Sequence, residues 1–177
     1  MKPIPESAVR RVWRKMNRVS RRTGAKMADE LGVEQPAIAS YLLGVDEDVF
    51  NEDERAMLFF LGLVIWQIMK QGDTPLPTVS IEAIQRAEAA NVDSVEKLAK
   101  STPADAESIV RSLLVGYGQP GVLGSVLIAL MEPQEPPHEP GEGVREENLG
   151  IMLLDAKTVI DVLDAKGADQ APVPAGE

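Results

Sequence analysis

The stretch that most constrains this chain runs from Ala56 to Met69, AMLFFLGLVIWQIM. Apolar residues fill almost every position, with Gly62 and Gln67 as the only relief. A helix at a protein surface shows one apolar stripe and one polar face, but this one has no face fit for water. At ~1.5 Å per residue it spans about 21 Å, short of the ~30 Å hydrocarbon core of a bilayer. Polar segments bound it, Asn51-Glu52-Asp53-Glu54-Arg55 before and Lys70-Gln71-Gly72-Asp73 after. The stretch predicts a buried central helix that other helices cover on several sides. Asn51 caps it, and Glu54 stands three residues on, at the capping-box position.

The remaining chain supplies those other helices. Val9, Val12, Trp13, Met16 and Val19 recur at spacings of three and four, which predicts a helix over 6–22 with arginines on its remaining face. Thr23 caps a short helix from Gly24 to Leu31, and Gly32-Val33 reads as a turn. A third helix starts near Gln35-Pro36, where proline suits the first turn, and stops at Gly44. Ser80 opens a helix that Asn91 and Asp93 interrupt, with a short helix following from Ser94 to Lys100. Thr102-Pro103 launches another, through Ile109 and Leu114. Val122–Met131 is strongly apolar, and Arg145–Lys166 carries one apolar stripe. No segment alternates with period two between turn signals. The expected fold is therefore all-α, a multi-helix bundle around 56–69 with Val122–Met131 and Leu149–Leu163 as its main neighbours. The expected organisation is basic N-terminal helices and central helix over 1–72, and a helical second half over 73–131. A Pro/Glu-rich linker over 132–144, a docking helix over 145–166 and a disordered tail over 167–177 follow.

Charge is divided unevenly. Residues 1–26 hold nine of the 18 bases against Glu6 alone, a net +8, while residues 27–177 carry −18. A basic arm on an acidic body can meet nucleic acid, an anionic membrane surface, or the acidic body itself. There is no cysteine, which excludes disulfides, thiol catalysis and thiolate metal sites. No apolar run reaches the ~18 residues of a membrane span, and the first residues lack a secretory pattern. The expectation is a soluble, cytoplasmic protein.

The usual chemistry of catalysis is sparse. His138 is the only histidine and falls in the Pro/Glu stretch, which leaves no Ser-His triad and no histidine-based metal site. There is no phosphate-cradling glycine loop and no dinucleotide fingerprint. The acids at 46–48 lack the glycine and terminal glutamate spacing of a calcium loop. Glu146 and Glu147 are adjacent, so they suit dipole stabilisation better than acid–base pairing. The expectation is a protein that is not an enzyme and needs no cofactor or metal.

One segment carries a functional suggestion. Residues 23–44, TGAKMADELGVEQPAIASYLLG, resemble the helix-turn-helix of the Cro and lambda-repressor type. Ala28 stands where that family has the small residue of the first helix, Gly32 four later in the turn, and Val33 inward after it. Ile38, ten after Ala28, is the buried anchor of the second helix, and Met27 and Leu31 supply further core contacts. The resemblance implies that Gln35, Pro36, Ala39 and Ser40 face outward toward a DNA major groove, with Gln35 able to pair with an adenine edge. Arg18, Arg21, Arg22 and Lys26, just upstream, would meet phosphates. The segment departs from the family at Gly24, where glutamine is usual. Its second helix lacks Arg, Lys and Asn, and Glu34 and Asp46-Glu47-Asp48 oppose phosphate. A looser echo, Leu98-Ala99 with Pro103 and Ile109, ending at Gly116, predicts a second hairpin with no binding role. The functional expectation is thus a DNA-binding, helix-turn-helix transcriptional regulator. The alternative is a helical interaction domain whose hairpin only packs, with a protein partner or a second copy in place of duplex DNA.

Overall fold

The computed structural model describes residues 1–101, 114–132 and 143–164. Most of the Pro/Glu stretch with His138, the tail, and the helix launched at Thr102-Pro103 with Ile109 lie outside them. Among the described residues there are seven α-helices and no strand: α1 Glu6–Met16, α2 Arg21–Glu34, α3 Pro36–Gly44, α4 Glu52–Met69, α5 Ile81–Ser101, α6 Pro120–Met131 and α7 Leu149–Asp164. A 3-10 turn, Glu146–Asn148, leads into α7. The fold is the expected all-α bundle.

The apolar stretch forms most of α4, which touches α1, α2, α3, α6 and α7. Leu61 to Trp66 are buried without interruption. The start is capped as the sequence requires, since Asn51 Oδ1 accepts from the Glu54 N–H and Glu54 Oε2 accepts from the Asn51 N–H, both at 2.9 Å. Each fully buried side chain such as Trp66 or Ile65 contributes on the order of 1.5–3 kcal/mol. Gly62 sits against α3: a Cβ there would overlap Leu42 Cδ1 and lie 3.0 Å from Cδ2. The missing side chain therefore sets how closely α3 approaches α4.

Several local expectations give way to stronger ones. The first helix ends at Met16 rather than 22, because Ser20 adopts an extended conformation and caps α2 by accepting from the Thr23 N–H at 3.3 Å. Ser20, not Thr23, is the cap. The expected turn at Gly32-Val33 is absent. α2 runs on to Glu34, the Gln35 N–H still bonds the Leu31 carbonyl at 2.7 Å, and Val33 is 84 % exposed rather than inward. The chain turns at Gln35 alone, and Pro36 opens α3. In α5, Asn91 does not interrupt the helix. It is buried there, its amide donating to Thr158 Oγ1 and Asp161 Oδ2 of α7, each at 3.0 Å. Between α4 and α5 residues 75–80 have no regular secondary structure and are held by Gln35, at the junction of α2 and α3, and one apolar cluster extends from Ile4 to Leu163.

Candidate functional site

The expected DNA-reading residues do not share a surface. Gln35 is buried, 3 % exposed. Its Nε2 donates to the Pro77 carbonyl at 2.8 Å and its Oε1 accepts from the Val79 N–H at 3.0 Å. Both ends of the amide are spent on a backbone that would otherwise be buried with unpaired groups. Gln35 is a clamp on 77–79, not an outward donor. Ala39 is half-buried against the core. Pro36 and Ser40 are exposed, and beside them on α3 stands Leu43, 66 % exposed. Apart from the Ser40 hydroxyl, that exposed face offers no side-chain group for a base edge. Met27, Leu31 and Ile38 are buried, and α2 packs on α3, but Gly32 and Val33 lie within α2 rather than in a turn.

The basic residues lie at and just after the α1–α2 connection. Arg18 lies in the α1–α2 connection, Arg21 and Arg22 in the first turn of α2, and Lys26 on α2, where it pairs with Glu30 at 3.8 Å. All four are exposed. Arg18 shares a shallow groove with Arg11, Arg14, Lys15, Ser20 and Thr23. Arg11, Arg14 and Lys15 were not singled out as site residues from the sequence, although their spacing on α1 places them together. Among the described residues, Lys15, Arg18, Arg21 and Arg22 meet no carboxylate within 4.0 Å, whereas Arg10 pairs with Glu6 at 2.9 Å. Of the acids expected to oppose phosphate, Glu34 is engaged by Lys70 at 2.8 Å, and the Lys70 Nζ sits 4.3 Å from the Trp66 ring centroid. Asp46, in a left-handed conformation that aspartate tolerates, accepts from the Val49 and Phe50 N–H groups through its backbone carbonyl, which leaves its carboxylate out of those bonds.

Three polar clusters lie away from this corner, and sequence spacing did not reveal them. Glu54, with its side chain fully buried, accepts from Arg145 Nε at 3.0 Å, from Arg145 Nη2 at 2.6 Å, and from Asn148 Nδ2 at 3.1 and 3.0 Å. Burial alone would raise its carboxyl, but the Arg145 guanidinium, the Asn51 and Arg145 N–H groups and Asn148 overcome this and hold it at about 2. On α3, the Tyr41 hydroxyl lies 3.0 Å from Asp155 Oδ1 and 3.2 Å from Glu88 Oε1. Burial raises Asp155 to about 7; the Tyr41 hydrogen bond opposes the rise, and the charges of Asp46 and Glu88 add to it. The third cluster joins Asn91 to Lys157, whose Nζ reaches Asn91 Oδ1 at 2.6 Å and Asp161 Oδ2 at 2.7 Å, while Tyr117 donates to Asp161 Oδ1 at 2.6 Å. These clusters tie α5 and α7 together and cap α4. Among the described residues no group of three or more His, Asp or Glu is arranged to hold a metal ion, and no helix is long and apolar enough to cross a membrane. No family model, no curated protein and no solved structure matches the chain.

Proposed function

We propose that this chain is a non-catalytic helical protein that binds duplex DNA through the phosphate backbone, by the α1–α2 corner rather than by α3. The observation that carries this reading is the set of exposed cations, Lys15, Arg18, Arg21 and Arg22, which meet no carboxylate among the described residues of a molecule of net charge −10. Described acids pair with other bases and leave this corner unneutralised. Unpaired cations in one place repel each other, and a polyanion relieves that repulsion. The acidic remainder does not forbid it, because charges farther than the ~8 Å Debye length at physiological salt are largely screened.

Backbone contacts fix position and carry no sequence information. With Gln35 buried, the operator recognition that the helix-turn-helix resemblance implies is left with the Ser40 hydroxyl alone. The proposed binding is therefore weakly sequence-dependent, and any role in transcription would come from occupancy of DNA rather than from choice of site. The test is a mobility-shift measurement at ~50 mM salt with several duplexes of unrelated sequence. Retention of all of them to a similar degree, lost in an Arg18→Ala, Arg21→Ala, Arg22→Ala variant, is the expected result. Absence of retention in the parent chain removes the reading.

The second reading, a helical interaction domain, is favoured by another feature, an apolar groove between α1 and α6 that meets the basic groove at Arg14.

A further inference from the structure

Between α1 and α6 lies a groove of about 530 Å³ whose floor is formed by Met57 and Phe60 of α4. This is within the ~300–1,000 Å³ range of ligand clefts. Trp13 forms one wall, its ring edge-on to Phe60 with centroids 6.2 Å apart, and Ile128 contributes to the other. α6 buries Val122, Leu123, Val126 and Leu130, yet leaves Ile128 63 % and Met131 70 % exposed. Those two stand three apart, on one face, so the apolar surface continues beyond the groove. Contiguous exposed apolar surface of this kind marks an interaction site. Arg10 and Arg14, one helical turn apart on α1, form the lip on one side, and Glu132, at the end of α6, lines the other. Arg10 holds only the exposed Glu6, and Arg14 reaches the Arg10 carbonyl at 3.4 Å and no carboxylate among the described residues.

We propose that this groove docks an acidic amphipathic helix of another protein, its apolar stripe on Met57, Phe60 and Ile128 and its carboxylates on Arg10 and Arg14. The spacing of the two arginines matches carboxylates one turn apart on a helix, and a groove read by such anchors is a recurring mode of recognition. Charge sets the partner's sign and opposes a symmetric pairing of two copies through this face. Residues 1–26 carry +8, so self-association here would bring two strongly positive segments together. The recessed floor distinguishes the site from a surface that inserts into lipid, and its apolar lining distinguishes it from the α1–α2 corner. Arg18, Arg21 and Arg22 do not line it.

The test uses the full chain and two labelled synthetic peptides with an identical Leu/Phe stripe, one flanked by glutamates and one by lysines, followed by fluorescence anisotropy. The glutamate peptide is expected to bind at least about tenfold more tightly than the lysine peptide. Ile128→Asp and Arg14→Glu should each weaken it by at least about tenfold, and Arg14→Glu should also narrow the preference for acid. Both residues are exposed, so melting curves should show the variants folded. The triple Arg18, Arg21, Arg22 alanine variant should keep full peptide affinity, which separates failure of this proposal from failure of the DNA reading. It is overturned if neither peptide binds, if both bind equally, if Ile128→Asp changes nothing, or if sedimentation shows a dimer that Ile128→Asp dissolves.

Discussion

Tyr41 has one hydroxyl proton and two carboxylate oxygens within 3.2 Å, so it satisfies Asp155 or Glu88 but not both at once. Asp155 Oδ2 is buried with no partner among the described residues. A charge in that position is costly, and protonating Asp155 removes it. Because its folded value is raised from 3.8 to about 7, the unfolded chain loses this proton first as pH rises. Stability therefore falls between about pH 4 and pH 7, by up to about 4 kcal/mol for the full shift, and is unaffected by this group above that window. Glu54 has the opposite sign. Its folded value is lowered from 4.5 to about 2, so its contribution is present above pH 4.5 and is lost as acid approaches pH 2. Thermal melts across pH 3 to 8 should show Asp155→Asn more stable than the parent at pH 7.5, with the difference gone near pH 4. A parent chain that gains stability from pH 5 to 7.5, with the variant following it, would contradict this account of the cluster.

Elements differ in how far they can be read from the chain. The capping box of α4 was legible because its partners are three residues apart, and the burial of α4 because apolarity on every side admits no other placement. The start of α3 at Pro36 and its end at Gly44 were legible for the same local reason. Gln35 was not, since its partners, Pro77 and Val79, lie 42 and 44 residues away, and an amide beside a helix-opening proline looks equally suited to solvent. Asn91 resembled a break for the same reason, its role being set by α7. The basic corner was half legible: composition located the charge, but only the fold shows that Arg11, Arg14 and Lys15 join Arg18. The α3–α4 contact gives the sharpest test at this scale. Gly62→Ala forces Leu42 or the helix to move, and such overpacking typically costs about 1–3 kcal/mol. Urea unfolding should show that loss, and the double variant Gly62→Ala with Leu42→Ala should lose less than the sum of the two single losses. A single variant as stable as the parent would mean that the contact is not tight.

Over the whole molecule, α1 borders two surfaces that meet at Arg14. One face, with Trp13, turns toward α4 and the groove beside α6; the other joins the start of α2 in a cluster of exposed cations. The acidic body supplies the packing and its own polar clusters, and among the described residues none of its carboxylates pairs with Lys15, Arg18, Arg21 or Arg22. On this account the positive corner is the molecule's contact with DNA, and the hairpin that resembles a reading unit serves as its support. The most direct measurement is the dependence of duplex affinity on salt. Log affinity against log salt has a slope of about −0.9 per phosphate neutralised, so removing Arg18, Arg21 and Arg22 together should make it shallower by about 2 to 3. Replacing Pro36 and Ser40 on α3 should leave the slope and the affinity unchanged. An unchanged slope in the triple variant, or a loss of affinity confined to the α3 variant, would contradict the assignment of DNA binding to the α1–α2 corner.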